Sequence, residues 1–194
     1  MIHGRLLVAC ERSQVVCTAF RVYGIEAYSC DILPAYGNHP EWHIQGDAIE
    51  VAYSGDWSMM IAHPPCTYLS NAGNRWLTLP DGKPNLDRLA KLSAGREFFL
   101  KLLYAPIPRI CVENPKPNAL ANLPPPSQSI QPYYFGDPFS KYTLLWLRGL
   151  PGLIASCICQ DVQSWTYIHS SSTVRSKTFE GVAAAMASQW RGFV

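Results

Sequence analysis

The sequence predicts a single α/β domain with a mostly parallel sheet and helices on both faces, and three observations carry this. The chain has 194 residues, enough for one ordinary domain with a sizeable core. Apolar runs of strand length alternate with helical or loop segments, the pattern of a parallel sheet with crossover connections. Three of those runs end in polar or reactive side chains, and open parallel sheets bind their ligands at the carboxyl ends of strands.

The elements follow in order. Residues 5–10 (RLLVAC) read as the first strand, and 14–22 as a helix closed by Gly24. Residues 26–30 (EAYSC) read as the second strand, ending at Asp31, and 42–45 as a short third before Gly46-Asp47. Residues 57–62 (WSMMIA) form a buried fourth strand that delivers His63-Pro64-Pro65-Cys66. A loop rich in Asn, Gly and Pro runs to Pro84. A helix follows over 86–104, with Asn85 as its cap and Leu89, Leu92, Phe99 and Leu103 on its apolar stripe. Residues 109–112 (RICV) are a fifth strand delivering Glu113-Asn114-Pro115, and the Pro-rich stretch 116–132 reads as mostly irregular. Residues 144–147 are a sixth strand, and the last helix runs from about 179 to 190.

Composition narrows the function classes. Apolar residues make up 48% of the chain, which excludes a disordered protein. No apolar run spans a bilayer, and the N-terminus lacks a signal-peptide pattern, so a soluble, cytoplasmic protein without membrane contact is expected. Sixteen basic against fourteen acidic residues leave a net charge of +2, too weak for a protein that coats a long duplex. Seven cysteines at irregular spacings argue against a disulfide framework. Cys157 and Cys159 could join His169 on a metal, but no second Cys pair accompanies them, so a loop or core role is favoured and no metal is expected.

The chemistry converges on Cys66. Each of the two prolines before it fixes its own φ and restricts the residue ahead of it, which suits a thiol that must meet a ring carbon at a set angle. Alone, Cys66 reads equally as a buried structural thiol. Glu113-Asn114 at a neighbouring strand end tips the balance toward a nucleophile facing a carboxylate.

On these motifs the chain resembles the DNA cytosine-5 methyltransferases, in particular short phage-encoded members without a full target-recognition domain. Pro65-Cys66 matches the family's Pro-Cys motif and Glu113-Asn114-Pro115 its Glu-Asn-Val motif. Residues 135–143 (FGDPFSKYT) resemble its Tyr-Gly-x-Pro-Gln-x-Arg-x-Arg segment, and 176–183 (SKTFEGVA) its C-terminal Gly-Asn motif and helix. The resemblance implies a Rossmann-like fold that uses S-adenosylmethionine, a single catalytic domain over 1–194, and methyl transfer to C5 of cytosine in DNA. Cys66 would attack C6 and Glu113 would bind N3 and the exocyclic amine, with Asn114 orienting the strand end or serving as a turn residue before Pro115. The cofactor would lie against Ala9, Cys10, Glu11, Ser13, Asp31, Ile32, Asp47, His63 and Pro64, with Asp31 on the ribose hydroxyls and Asp47 near the adenine amine. Pro65, Ser70, Arg75, Ser140 and Lys141 would contact the substrate.

The chain also departs from that family. Its first loop, Cys10-Glu11-Arg12-Ser13-Gln14, has none of the family's glycines, and Ser140 and Lys141 stand in the region of its paired arginines. Residues 149–177 are a minimal remnant of the recognition region, so target choice is relaxed or passes to an accessory partner. Residues 67–104 are a loop-helix insertion in which Arg75-Trp76 could serve as a stacking platform or simply as part of a solvated face. Three alternatives stay open: pyrimidine C5 chemistry on a free cytosine nucleotide, a degenerate nucleotide- or nucleic-acid-binding module, and an amino-methyltransferase with a Pro-Pro-Tyr-type loop, against which Cys66 and Glu113 argue.

Overall fold

The computed structural model describes residues 4–165 and 177–194. The strands are β1 (Arg5–Ala9), β2 (Glu26–Asp31), β3 (His43–Gln45), β4 (Met59–Ala62), β5 (Arg109–Asn114), β6 (Gln128–Ile130), β7 (Phe139–Ser140), β8 (Thr143–Arg148) and β9 (Gln163–Ser164). The helices are α1 (Val15–Arg21), α2 (Ala48–Ser54), α3 (Leu86–Leu103) and α4 (Glu180–Trp190). Seven strands form one sheet in the order β3-β2-β1-β4-β5-β8-β6. β1 to β5 run parallel, while β8 runs antiparallel to both β5 and β6. This is the expected α/β, Rossmann-like arrangement with a mostly parallel sheet.

The central strands carry continuous apolar runs because both of their faces are covered. Leu6, Val8, Met59, Ile61 and Cys111 pack with α1 and α4, around the fully buried Trp190 and Phe20. Leu7, Ala9, Met60, Ala62, Ile110 and Val112 pack on the other face with α2 and α3, including Phe99 and Leu102. Strand alternation assigns each residue to a face. It therefore also sets the face on which each strand-end side chain emerges.

α3 matches the sequence expectation closely. Asn85 is its N-cap, with the side chain accepting from Arg88 N–H, and Leu92, Phe99, Leu102 and Leu103 are buried. Several features depart from the expectation, among them the two-residue strands β7 and β9, which the sequence does not announce. α2 was not foreseen; its seven residues are too few to show a helical period, and Asp47 caps it by accepting from Ile49 N–H. Residues 128–130, expected to be irregular, form the edge strand β6, whose pattern is too short to read. β5 extends two residues further than expected, so Glu113 and Asn114 lie within the strand, paired with Leu145 and Leu144.

α4 docks closely because residue 181 has no side chain. A Cβ on Gly181 would lie 2.1 Å from the Phe135 carbonyl oxygen. Instead the Gly181 N–H donates to Asp137 Oδ2 at 3.0 Å. Among the described residues no helix is long and apolar enough to cross a membrane.

Candidate active site

The register of β4 and β5 builds the centre of the site. Ala62 pairs with Val112 in a parallel ladder, so the next residues, His63 and Glu113, emerge side by side on one face. The His63 N–H continues the sheet by donating to the Ala9 carbonyl at 2.9 Å. The His63 ring stands with Nδ1 3.2 Å from Glu113 Oε2. Their side chains are 9% and 20% exposed, enough burial to strengthen the pair and enough opening for a ligand to reach the carboxylate. His63 Nε2 is buried and has no hydrogen-bond partner among the described residues.

Burial alone would push the Glu113 carboxyl up, but the hydrogen bond from His63, the charges of Lys141 and His63, and the Thr143 hydroxyl outweigh it. The carboxyl is held below its ordinary value and is ionised at neutral pH. Lys141 and Thr143 come from the start of β8, the strand next to β5.

Cys66 lies three residues beyond His63, in a turn where its carbonyl accepts from Leu69 N–H and Ser70 N–H at 3.1 and 2.8 Å. Pro64 is buried, Pro65 exposed and Cys66 partly exposed. The chain beyond Cys66 is tied to the chain beyond Glu113. Asn71 N–H donates to the Lys116 carbonyl at 2.9 Å and Asn118 N–H to the Leu69 carbonyl at 2.7 Å. Ser70 bridges Pro117, and the side chains of Asn118 and Asn74 are hydrogen-bonded. The two chemistry-bearing loops are thus held together.

The other buried thiols are unreactive by environment. Burial first, then neighbouring carboxylates, pushes Cys17 and Cys30 up to about 12. Cys10 and Cys111 are also pushed up, for the same reasons in the same order. A thiol in that state is no nucleophile at neutral pH.

The loop after β1 reaches a glycine-like shape without glycine. Cys10 and Gln14 adopt φ of 60° and 61°, the left-handed region that side chains rarely enter. Each such residue costs about 1–2 kcal/mol, and the surrounding bonds show what offsets it. Glu11 is 3% exposed, and its carboxylate accepts from Val16 N–H at 2.7 Å and Cys17 N–H at 3.2 Å. The side chain of Gln14 donates to the His39 carbonyl at 2.6 Å and accepts from His39 N–H at 3.1 Å. This clamp requires glycine at position 37, where a Cβ would lie 2.3 Å from Gln14 Oε1.

The remaining expected site residues fall into three groups. Asp31, Ile32 and Asp47 lie at the carboxyl ends of β2 and β3, with Ala9 at the end of β1. Asp31 Oδ1 accepts from Leu33 N–H at 2.9 Å, Asp47 Oδ1 accepts from Ile49 N–H at 2.7 Å, and Ile32 is 69% exposed. A carboxylate beside an exposed aliphatic face suits a nucleoside. Asp47 doubles as the cap of α2, and Glu11 is committed to α1. Ser13 turns toward a cavity of about 470 Å³ whose lining includes Tyr36, Asn38, His39, Lys177 and Glu180 but none of Cys66, Glu113, Asp31 or Asp47.

Asn114 ends β5 and faces away from Glu113. It is fully buried, alternation puts it on the α2–α3 face, and its side-chain amide has no partner among the described residues. The expected orienting hydrogen bonds are therefore not formed by those residues. Ser140 lies in β7, its hydroxyl 3.4 Å from the Gln163 carbonyl, and Lys141 follows it beside Glu113. Cys157 and Cys159 pack against residues 133 and 134 through their backbone N–H groups. No metal-ligand cluster occurs among the described residues. His169 and Ser176 lie outside the described residues.

Sequence reasoning missed two features of the site. His63 was assigned to the cofactor, yet its ring faces Glu113; the signal was the equal distance of both residues from adjacent strand ends. Gln14 read as helix, yet it is the loop's clamp, and nothing local marks it.

No family model matches the chain, and no curated protein matches it. Three solved structures show limited similarity. A prophage-encoded protein of E. coli named as a DNA modification methyltransferase is 11% identical over 74% of this chain and 46% of its own, with a TM-score of 0.47. The S. pombe Dnmt2 methyltransferase is 16% identical over 91% and 56%, with a TM-score of 0.43. The Entamoeba histolytica methyltransferase EhMeth is 13% identical over 82% and 58%, with a TM-score of 0.46. The chain spans about half the length of these structures.

Proposed function

We propose that the chain transfers a methyl group from S-adenosylmethionine to C5 of cytosine in DNA through a covalent Cys66 adduct. The observation that carries this reading is the pairing of two strand ends. One bears Cys66, the other an ionised, partly open Glu113, and the loops beyond them are tied together. The order of motifs adds support.

Each residue has a defined task. The Cys66 thiolate forms a bond to C6, the electron pair of the C5–C6 double bond shifts through C4 toward N3, and N3 carries a proton taken up from water as the base binds against the ionised Glu113. The resulting enamine is nucleophilic at C5. S-adenosylmethionine, when bound, would supply the methyl carbon, its sulfonium–methyl bond breaking to leave a neutral thioether. Once C5 is methylated, water takes the C5 proton, the electron pair re-forms the C5–C6 double bond as the sulfur–C6 bond breaks, the thiolate returns, and N3 gives its proton back to water. A thiol serves well because it is a strong nucleophile and a good leaving group. Glu113 binds the ring edge at N3 and the exocyclic amine. Asp31 with the exposed Ile32 would hold the nucleoside part of the cofactor, Asp47 would approach its base, and the main chain at Ala9, Cys10 and Pro64 would line its path.

A polymer substrate is favoured over a free nucleotide by the surface that follows Cys66. The Arg75 guanidinium lies 4.7 Å over the ring of Trp76, which is 53% exposed. Arg88 lies 4.6 Å over Tyr68 and donates to the Thr67 carbonyl at 2.8 Å. The acids Asp81, Asp87 and Glu97 each pair with a lysine, at 3.3, 2.8 and 2.9 Å, which leaves these arginines unneutralised by them. Cations beside open aromatic faces grip single-stranded nucleic acid. Ser70 is the N-cap of the turn that carries Arg75 and Trp76, and the exposed Pro65 precedes Cys66; both would meet the same nucleic-acid strand.

The test is an oligonucleotide with 5-fluorocytosine, incubated with the protein and S-adenosylmethionine. Fluorine at C5 cannot leave as a proton does, so the adduct stays attached. Intact-mass spectrometry should show protein plus methylated oligonucleotide, and Cys66→Ser should abolish it. Trapping of a fluorinated nucleotide but no oligonucleotide would move the substrate to the free nucleotide. No adduct with either, together with no binding of S-adenosylmethionine at millimolar concentration, would sink the enzyme reading. If the surface assignment holds, Arg75→Ala with Trp76→Ala should weaken oligonucleotide binding by about 10- to 100-fold.

A further inference from the structure

Three acid–base side chains cross the carboxyl edge of the sheet in a row. Glu11 follows β1, His63 follows β4 and Glu113 is the penultimate residue of β5, at the ends of three strands adjacent in the sheet order. His63 and Glu113 emerge on the α1–α4 face by alternation, and Glu11, beyond the left-handed Cys10, reaches the same side, where it bonds α1. The groups facing His63 are Glu113, at 3.2 Å, and Glu11, which senses its charge. The groups facing Glu113 are His63, Lys141, Thr143 and the Cys111 thiol beneath it on the same strand. An ionised carboxylate only accepts hydrogen bonds, so the proton of this contact lies on His63 Nδ1. The other ring nitrogen is buried without a partner among the described residues. The His63 side chain therefore has one hydrogen bond there, and it is spent on the carboxylate that would read the ring.

We propose that His63 is a positioning residue that keeps the proton shared between Glu113 and the target ring on ring N3. This rests on the cytosine reading and adds a residue to it. A protonated Glu113 could bind N3 as a donor, but the ring would then stay neutral and a poor electrophile. When the proton sits on N3, the ring becomes an amidinium facing a carboxylate, with two parallel charge-assisted hydrogen bonds. C6 of that cation accepts the thiolate electron pair more readily. The donor from His63 makes the Glu113 carboxylate a weaker base and so tips the proton toward the ring. It also fixes which oxygen faces inward: Oε2 is engaged by the imidazole, and the carboxylate cannot rotate without losing that bond. The substrate class is a six-membered base with an amidine edge; a ring with a carbonyl at C4 offers no such edge.

The experiment compares the parent with His63→Ala and with His63→Asn, whose amide nitrogen stands where Nδ1 stood and donates without charge. The Glu113 carboxyl is followed by carbon-13 NMR against pH, assigned through Glu113→Gln, and kcat and KM are measured across the same range. In His63→Ala the Glu113 titration should move to higher pH by about one unit or more. The acid limb of kcat should move with it, with KM little changed. His63→Asn should recover much of both. An unmoved Glu113 titration in a folded His63→Ala, or a rate loss equal at every pH, overturns the proposal. A parent protein that traps no 5-fluorocytosine overturns the cytosine reading instead, and the titration still decides whether His63 governs Glu113.

Discussion

Glu11 and Glu113 are two carboxylates at strand ends flanking the same imidazole, and the fold uses them in opposite ways. Glu11 is 3% exposed and its oxygens are taken by the first N–H groups of α1. Burial pushes its carboxyl up, against the pull of His63 and of those N–H groups. Glu113 is held down, because the hydrogen bond from the His63 ring, a lysine and a hydroxyl outweigh the burial that raises it. One acid organises backbone and the other is kept charged and open. Proximity to the histidine does not separate them; the remaining partners do. A strand-end carboxylate is thus a site candidate only after its capping bonds are known.

The contrast can be broken at several points. The largest effect is expected from Glu113→Gln, which should lower turnover by about 10²–10⁴-fold with only a modest fall in thermal midpoint at neutral pH. Glu11→Gln should keep turnover within roughly tenfold of the parent, far above the loss expected at an acid–base residue. Steady-state kinetics on a methyl-acceptor oligonucleotide checks both, and equal losses would erase the distinction.

Stability should show the reverse. Glu11→Ala removes the acceptor for the Val16 and Cys17 N–H groups and should cost about 1–3 kcal/mol, measured by urea unfolding. Glu113→Ala should cost less, since it strips one buried donor, His63 Nδ1, where Glu11→Ala strips two backbone N–H groups.

The pH dependence of stability should also differ in sign. Glu113, lowered in the fold, contributes stability that is present above the ordinary value of 4.5 and lost as pH falls below it. Glu11, raised in the fold, contributes stability that is full below 4.5 and lost as pH rises through its higher value. Relative to the parent, Glu113→Gln should lose less stability on acidification, and Glu11→Gln less on going from acid toward neutral pH. Unfolding curves at several pH values check this, and the same sign in both variants would contradict the two environments.

The smallest effect concerns the loop that Glu11 anchors. Cys10→Gly relieves a left-handed side chain and loosens the unfolded chain, two effects of about 1 kcal/mol that oppose each other. Its unfolding free energy should lie within about 1 kcal/mol of the parent.

Much of the fold was legible because its signals are local. Residues 57–62 and 109–112 are apolar runs of strand length, and Asn85 with the stripe of Leu92, Phe99 and Leu103 defines α3. The helix α2 and the strand β6 were missed because seven and three residues carry too little pattern. In the site, Cys66 and Glu113 could be singled out by residue type and by their place after strands. The role of Gln14 could not, because its partners at His39 lie across a loop.

The sequence by itself determined the central strands β1, β2, β4, β5 and β8, their order along the chain, and which of them are followed by polar side chains, since apolar runs and breakers act over a few residues. Only the tertiary structure decided which of those groups meet. Register put His63 beside Glu113, alternation turned Asn114 to the other face, and the N-terminus of α1 claimed Glu11. The physical reason is that a carboxylate's charge state depends on burial and on partners from other strands, and these exist only once the sheet has formed.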